Sequence, residues 1–378
     1  LDLVTGAGQR VTLRRGQPSG LDRLEREVAP ALQAARPLVE ARFPRVAKNT
    51  AGYALDHFLR TGDALDLVVG SEGTLGFVTA VEWRLDPVPA ARGAVRVDLG
   101  TLDALGPAVE ALLRAGPTAV ELLDRTFLDL VRATGAHLPP AGTEAVLLVD
   151  LERPGAEALR GAVGDAVRLA SPLALNVETA LSPEEVESAW ALRHAASPIL
   201  SRQPDTRRSM QVIEDGCVPL PALGGYVRFV RERARERRLA VVLFGHAGDG
   251  HVHVNLMPDT TAPGWEAQVE ALLEEVTAEV IRLGGTPSGE HGDGRLRARF
   301  VERLYGAEVM ALFRVVKGAF DPDGILNPGV KLPDAAPSGL GLLKVGGAAA
   351  PIPADIEAAL RRIEREGGYA TPRLTLAD

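Results

Sequence analysis

Short strand-like runs alternate with helical stretches between residues 94 and 283. Apolar residues recur at every second position in the strand-like runs and at every third or fourth position in the helical stretches. The pattern predicts strands at 94–99, 119–123, 144–151, 212–218, 239–245 and 251–256, and helices at 101–115, 124–133, 154–170, 183–198, 220–237 and 266–283. This order of elements favours an α+β or α/β sandwich built on antiparallel strands.

The two ends of the chain follow different patterns. The first 90 residues predict a strand pair within 1–13, a helix over 21–40, a strand-like apolar segment over 64–76 and a strand over 77–85. That last strand ends at Pro87 and Pro89, where we expect a domain boundary. Residues 332–353 are rich in Pro, Gly and Ala, which is typical of a linker, and 355–366 predicts a short amphipathic helix.

Composition limits the classes of protein that the chain can represent. With 378 residues it is long enough for two domains. Its net charge of -8 argues against nucleic acid or an anionic membrane as the main partner, because both require a basic surface. Cys217 is the single cysteine, so a disulfide framework and a metal site made of cysteines are excluded. No apolar run approaches the roughly 20 residues that span a bilayer.

The densest polar feature is a group of three histidines within eight residues, His246, His251 and His253. If 251–256 is a strand, His251, His253 and Asn255 point to one face and the residues between them point to the other. The Gly-Asp-Gly turn after His246 allows the chain to fold this residue back towards His253. The spacing therefore predicts a cavity wall lined by imidazoles.

A second glycine-rich segment, Ser288-Gly-Glu-His-Gly-Asp-Gly294, adds Glu290 and His291. Two of the earlier imidazoles together with Glu290 would form a three-ligand site with room for substrate or water, as in catalytic zinc sites. Separate core or turn histidines are the alternative, but the crowding of histidines beside a glutamate favours a site. Such a site would suit a metal-dependent hydrolase equally well.

Three further features have both a functional and an ordinary explanation. Gly70-Ser-Glu-Gly-Thr-Leu-Gly76 could bring backbone N–H groups close to a ligand, or it could be a simple glycine turn. Asn49-Thr-Ala-Gly-Tyr53 could line a ring-shaped cofactor, or it could cap the helix that follows. Arg193, on a predicted helix, could bind a carboxylate bidentately, or it could be a solvated surface residue.

Four motifs together support a resemblance to a known family. They are Gly70-Ser-Glu-Gly-Thr-Leu-Gly76, Gly245-His-x-Gly-Asp-Gly-x-x-His253 with Asn255, Gly289-Glu-His-Gly-x-Gly294 and Phe320-Asp-Pro-x-x-Ile-Leu-Asn-Pro-Gly329. Their order and spacing resemble the FAD-linked oxidase family of the vanillyl-alcohol oxidase superfold. This family includes D-lactate dehydrogenases, D-2-hydroxyglutarate dehydrogenases and the flavin subunit of glycolate oxidase.

The resemblance implies a function and a set of site residues. It implies FAD-dependent oxidation of a D-2-hydroxy acid to the 2-oxo acid, with hydride transfer to flavin N5. It places a divalent metal, zinc or manganese, on His246, His253 and Glu290, and it makes His291 the catalytic base. Arg193 would bind the substrate carboxylate and Asn255 would lie near the substrate. The residues that match flavin-contacting segments are Asn49, Thr50, Gly52, Ser71, Glu72, Gly73 and Asn327.

The resemblance also implies a domain organisation. Residues 1–90 would be the C-terminal part of a two-lobed FAD-binding domain, and 91–290 an α/β substrate domain with an antiparallel sheet and the metal site. Residues 291–331 would return to the FAD domain, and 332–378 would form a linker and a C-terminal helix. The family's N-terminal lobe, which carries a glycine-rich pyrophosphate loop, has no counterpart in the sequence, so we expect a truncated chain.

The expected partners are a small 2-hydroxy acid and an electron acceptor such as a quinone, a cytochrome or another carrier. We expect no nucleic-acid partner. The expected location is the cytoplasm or the periphery of a membrane, and contact with a membrane surface or with a second copy of the chain stays open. Two alternatives to a flavin enzyme are also kept, a metal-dependent hydrolase and a catalytically idle fragment.

Overall fold

The computed structural model describes residues 1–132, 138–195, 199–200, 203, 206–207, 209–333, 340, 343, 345 and 351–366. The strands are β1 Asp2–Val4, β2 Arg10–Thr12, β3 Phe77–Ala80, β4 Ala91–Leu99, β5 Ala119–Asp124, β6 Ala145–Arg153, β7 Asn176–Ala180, β8 Gly216–Cys217, β9 Ala240–His246 and β10 His251–Met257. The helices are α1 Ala29–Ala34, α2 Arg36–Arg42, α3 Leu55–Thr61, α4 Ala64–Val68, α5 Leu105–Leu113, α6 Arg125–Arg132, α7 Ala156–Ala170, α8 Pro183–His194, α9 Leu223–Glu236, α10 Trp265–Arg282, α11 Gly294–Tyr305, α12 Ala307–Phe320 and α13 Ala354–Glu366. Among the described residues, no helix is both long and apolar enough to cross a bilayer.

The chain divides into two compact units. The first comprises Leu1–Val88, Asp215–Pro219 and Thr277–Leu340, and the second comprises Pro89–Glu214, Leu220–Val276 and Gly341–Asp378. The first change of unit falls at the expected proline-rich boundary. Residues 277–290 belong to the first unit, although the sequence placed them in the substrate domain. The reason is local pairing, because Thr286 bridges Cys217 and the Ser288 carbonyl accepts the backbone N–H of Thr50 at 2.8 Å.

In the first unit, β1, β2 and β3 form an antiparallel sheet in the order β2-β1-β3. The expected strand pair at the start of the chain is confirmed. The expected strand over 77–85 is wrong beyond Ala80, because β1 supplies partners only for Phe77–Ala80 and no described strand pairs with 81–85. Trp83 and Leu85 are 78% and 85% exposed, so their alternation with polar residues does not reflect a buried face in this structure.

Two other sequence expectations in the first unit are corrected. The apolar start of 64–76 is the helix α4 rather than a strand, since the Asp63 side chain accepts the backbone N–H of Leu65 at 3.0 Å and caps it. The single helix over 21–40 is divided into a π-helical turn at Leu24–Val28, then α1 and α2. Pro37 lies in the first turn of α2, where its missing N–H costs nothing, but it could not lie inside one continuous helix.

The second unit confirms the α+β fold with an antiparallel sheet. Its strands lie in the order β7-β4-β6-β5-β9-β10, and every pair is antiparallel. The core on one face is formed by Leu123, Val146, Leu148 and Val242 of the sheet with residues of α6 and α8. The expected strand over 212–218 is reduced to β8, Gly216–Cys217, which belongs to the first unit.

Two of the predicted helices, 183–198 and 355–366, correspond to α8 and α13. α8 begins at Pro183 because Ser182 and Glu185 form a reciprocal capping box. It ends at His194, and residues 196–198 of the predicted helix lie outside the described residues. The short helix expected over 355–366 is confirmed as α13, whereas most of the predicted linker lies outside the described residues.

Asp124, the last residue of β5, is a buried carboxyl at the start of α6. Its Oδ1 accepts the backbone N–H of Thr126 at 2.7 Å, and its Oδ2 lies 3.6 Å from an Arg231 guanidinium nitrogen. Burial raises the pKa of Asp124 to about 6, against the lowering effects of the Thr126 hydrogen bonds and the Arg231 charge. The folded state therefore disfavours the ionised form of this side chain.

Replacing Asp124 with asparagine should stabilise the protein at neutral pH but not at pH 4. In the wild type, the Asp124 carboxyl ionises at a lower pH in the unfolded chain than in the folded one. The free energy of unfolding therefore falls as pH rises from about 4 to about 6. Above that range the full loss of about 3 kcal/mol persists. The asparagine variant lacks this cost and keeps the oxygen that accepts from Thr126. Urea unfolding of both proteins across this pH range measures the difference, and a difference that does not change with pH would contradict the assignment.

Candidate functional site

The register of β5, β9 and β10 gathers the polar residues of the second unit on one face of the sheet. Glu121 of β5 lies directly opposite His246 of β9, and Phe244 of β9 lies opposite His253 of β10. Opposite residues of an antiparallel pair share a face, as do residues two apart on one strand. Glu121, His246 and His253 therefore point to the same side.

The histidine rings lie within a few ångströms of one another. The Nε2 atoms of His246 and His253 are 3.4 Å apart. The buried ring of His251 lies 4.6 Å from the His253 ring and stacks on the His246 ring at 5.6 Å, centre to centre. Each of the three residues offers a ring nitrogen within 4.8 Å of the other two. His251, whose role the sequence left open, is thus an imidazole of the same cluster.

Gly245 and the turn that follows it make this approach possible. A Cβ at Gly245 would lie 2.4 Å from the backbone oxygen of His251 and 2.8 Å from the Cα of Val252, so no larger residue fits between the two strands. The turn ends at Gly250, whose φ of 71° favours glycine. The glycines of the motif therefore serve the close pairing of β9 and β10.

Glu121 contacts two of the predicted site residues and was not itself predicted from the sequence. Its Oε1 lies 2.5 Å from Nδ1 of His246, and its Oε2 accepts a hydrogen bond from Nε of Arg193 at 3.1 Å. Burial acts to raise the pKa of Glu121, but the hydrogen bond from His246 and the charges of His246 and Arg193 together lower it. The available signal was a single glutamate inside the apolar strand 119–123.

Arg193 and Asn255 complete the polar group in the second unit. The guanidinium carbon of Arg193 lies 4.5 Å from the centre of the Phe244 ring, and only its Nε makes a hydrogen bond within the described residues. Asn255 is buried, and its Oδ1 accepts from the hydroxyl of Ser209 at 3.1 Å. Its Nδ2 has no hydrogen-bond partner among the described residues. A buried amide donor of this kind is suited to a polar ligand.

The Nε2 atoms of His246 and His253 have the separation that one metal ion requires. Two nitrogens bound tetrahedrally to zinc, each at about 2.0–2.1 Å, lie about 3.3–3.4 Å apart. The observed distance between His246 Nε2 and His253 Nε2 is 3.4 Å. His246 faces the Glu121 carboxylate through Nδ1, and a carboxylate in this position orients a histidine so that Nε2 is the ligand atom. The residues present therefore fit a divalent metal.

Glu290 and His291 belong to the first unit, on a loop fixed by Asp215. The two carboxylate oxygens of Asp215 accept the backbone N–H groups of Glu290 and His291, each at 3.0 Å. Glu290 also pairs with Lys48 at 2.7 Å and lies 3.3 Å from Nε2 of His291. Asp215 was not identified from the sequence, where it appears only as an acidic residue inside the predicted strand 212–218.

The seven residues expected to contact a flavin all lie in the first unit. Hydrogen bonds connect several of them, either directly or through Asp293. The Asn327 side chain donates to the Glu72 carbonyl at 2.7 Å, while the Glu72 carboxylate accepts the backbone N–H groups of Asp293 and Gly294. Asp293 in turn accepts the backbone N–H of Gly52 at 2.8 Å. The remaining members of the set are Asn49, Thr50, Ser71 and Gly73, of which Ser71 is buried and Gly73 has a φ of 70°. The Glu72 carboxylate therefore has a structural task at the start of α11.

Comparisons with known proteins show the family of the chain. The family "FAD linked oxidases, C-terminal domain" matches residues 88–330. The glycolate oxidase subunit GlcD of Bacillus subtilis is 31% identical over 287 residues, covering 75% of this chain and 58% of the relative. The D-lactate dehydrogenase of Archaeoglobus fulgidus is 30% identical over 288 residues, covering 75% of this chain and 59% of the relative. The chain thus spans a little over half the length of these two relatives.

One solved structure shows the same fold at low sequence identity. The 4-ethylphenol oxidase of Gulosibacter chungangensis, in its isoeugenol complex, aligns with a TM-score of 0.56 and 14% identity. The alignment covers 88% of this chain and 65% of that protein. Because the identity is low, this likeness concerns the fold alone. The resemblance inferred from the four sequence motifs is confirmed at the level of the family.

Proposed function

Because the chain belongs to the family of FAD linked oxidases, C-terminal domain, we propose that it binds a D-2-hydroxy acid for oxidation by FAD to the 2-oxo acid. Two relatives named as a glycolate oxidase subunit and a D-lactate dehydrogenase support this substrate class. Glycolate, D-lactate and D-2-hydroxyglutarate are the candidate substrates. Reoxidation of the cofactor requires an electron acceptor such as a quinone, a cytochrome or another carrier.

The observation that carries the proposal is the separation of 3.4 Å between the Nε2 atoms of His246 and His253. We propose that these nitrogens hold a divalent metal, zinc or manganese. Glu290 is proposed as a further ligand on the strength of the motif resemblance. A metal here would polarise the substrate hydroxyl as a Lewis acid, and FAD would accept two electrons and a hydrogen from the substrate carbon.

The residues of the chain would bind and orient the acid. Arg193 has Nη1 and Nη2 available for the substrate carboxylate, since its hydrogen bond to Glu121 uses Nε. The Nδ2 of Asn255 would donate to a substrate oxygen. His291 would accept the hydroxyl proton on a ring nitrogen, a task for which histidine is suited near neutral pH. The proton leaves from oxygen while the hydrogen with its electron pair leaves from carbon, so the product is the 2-oxo acid.

The flavin contacts are proposed for the linked segments of the first unit. Asn49, Thr50, Gly52, Ser71, Glu72, Gly73 and Asn327 are the proposed contact residues. Backbone groups are the better candidates at Glu72, because its carboxylate is already bonded to the start of α11 and to Lys331. Gly73, at a positive φ and with open space where a Cβ would lie, would let a planar ring approach the main chain, whereas the space at Gly52 is filled by the Phe313 ring.

The proposal predicts that one of the three acids bleaches FAD bound to the protein. The FAD-loaded protein is mixed without oxygen with glycolate, D-lactate or D-2-hydroxyglutarate, and flavin absorbance is followed. We expect fast bleaching by one acid, its loss after chelator treatment and its recovery with zinc or manganese. Absence of bleaching by all three acids would contradict the substrate class, and bleaching that survives complete metal removal would contradict the metal.

A further inference from the structure

We propose that Glu121 is the positioning residue of this site, which fixes both the metal-binding histidine and the substrate-binding arginine. The inference rests on the proposed function, because it assigns Glu121 a part in that same site. Glu121 lies on β5, which is paired with β6 on one side and β9 on the other. Its backbone is therefore held on both sides, unlike Arg193, which lies at the end of α8.

The first oxygen of Glu121 sets the state of the His246 ring. Oε1 lies 2.5 Å from Nδ1, so the ring donates its proton there and keeps the lone pair on Nε2. That Nε2 is the atom 3.4 Å from Nε2 of His253. Carboxylates that accept from metal-binding histidines fix the ring's tautomer and orientation, and their loss typically weakens metal affinity by about 10–100-fold.

The second oxygen of Glu121 holds Arg193 by one nitrogen only. Oε2 accepts from Nε at 3.1 Å, and the guanidinium plane lies against Phe244. The two terminal nitrogens are left for a carboxylate, the group that a guanidinium binds with two parallel bonds. Glu121 thereby orients the arginine without occupying the edge that would meet the substrate.

A buried carboxylate on the neighbouring strand β6 makes a different pair. Asp150 accepts from Nε and Nη2 of Arg92, so this carboxylate binds one arginine through both oxygens. Glu121 instead divides its oxygens between an arginine and a histidine. It therefore contacts two side chains of the proposed site at once, as a positioning role requires.

The test compares Glu121→Gln with the control Asp150→Asn by titrating zinc chloride into metal-free protein and measuring heat. Both carboxylates are 5% exposed and lie on neighbouring strands, but within the described part of the chain Asp150 has Arg92 as its ion-pair partner and no hydrogen bond to a histidine. We expect the Glu121 variant to bind zinc about 10–100-fold more weakly. The Asp150 variant should bind like the wild type. A ¹⁵N spectrum of the imidazoles should show a mixed tautomer at His246 only in the Glu121 variant.

A second readout concerns Arg193. In FAD-loaded Glu121→Gln protein with saturating zinc, we expect a higher KM for the hydroxy acid than in the Asp150 control, because the arginine is less well oriented. If the wild type binds no zinc, the proposed metal is wrong and the failure lies in the proposed function. If the wild type binds zinc and both variants match it in affinity and in KM, the positioning role of Glu121 is overturned.

Discussion

His291→Ala protein, loaded with FAD and metal, should reduce its flavin about 10²–10⁴-fold more slowly than the wild type while keeping its metal. The expected loss is large because the side chain removed is the proposed acceptor of the substrate's hydroxyl proton, and water replaces it poorly. The metal should remain because the proposed ligand nitrogens belong to His246 and His253. Anaerobic stopped-flow spectroscopy measures the rate, and metal analysis of the same sample measures occupancy.

The structure offers reasons to expect a specific effect from this substitution. The backbone of the loop is held by Asp215, which accepts N–H groups from Glu290 and His291 at 3.0 Å. Removing the imidazole therefore leaves these two hydrogen bonds intact. His57→Ala, on the exposed surface of α3, is a matched control that should reduce its flavin at the wild-type rate. An unchanged rate in the His291 variant would show that the base is another group.

The sequence was most informative where chemistry and strand period agree. Alternation placed His251, His253 and Asn255 on one face of a strand, and the structure has them on one face of β10. The Gly-Asp-Gly turn indicated that His246 would fold back towards His253, and the ring nitrogens lie 3.4 Å apart. Both inferences depend on residues close together in the sequence, where backbone geometry limits the possibilities.

Sequence reasoning failed where the decisive contact joins distant strands. Glu121 meets His246 only because β5 and β9 are neighbours in register, although 125 residues separate the two positions. Side-chain period indicates which face a residue occupies, but it does not indicate which strands are adjacent. The same limit explains Asp215, whose carboxylate binds the N–H groups of a loop 75 residues later.

The local pattern also misassigned two segments. One lacks a partner strand among the described residues, and the other is capped as a helix. Residues 81–85 alternate like a strand, yet no described strand pairs with them. Residues 64–68 are apolar like a buried strand, yet Asp63 caps them as a helix. In both places the pattern of apolar and polar residues is compatible with a strand. Whether a strand forms depends on backbone hydrogen bonds, which the pattern does not indicate.

Lys331→Met should destabilise the first unit by about 3–5 kcal/mol, the usual cost of removing one partner from a buried ion pair. Lys331 is fully buried, and its ammonium lies 2.8 Å from Glu72 and 3.3 Å from Asp293. It also donates to the carbonyl of Thr50. Methionine preserves most of the volume and, like lysine, must adopt the positive φ of 64°. The variant therefore tests the charge rather than packing or backbone strain.

The double variant Lys331→Met, Glu72→Gln separates the ion pair from the rest of the network. Removing both charges leaves only Asp293 without its cation. The free energy of unfolding should therefore fall by less in the double variant than the two single variants predict by addition. The expected difference is about 1–3 kcal/mol. Urea unfolding of all four proteins gives the coupling. Because the cluster joins Thr50, Glu72 and Asp293, loss of FAD affinity should accompany loss of stability in Lys331→Met. Strictly additive effects would mean that the lysine stabilises the fold without compensating the charge of Glu72.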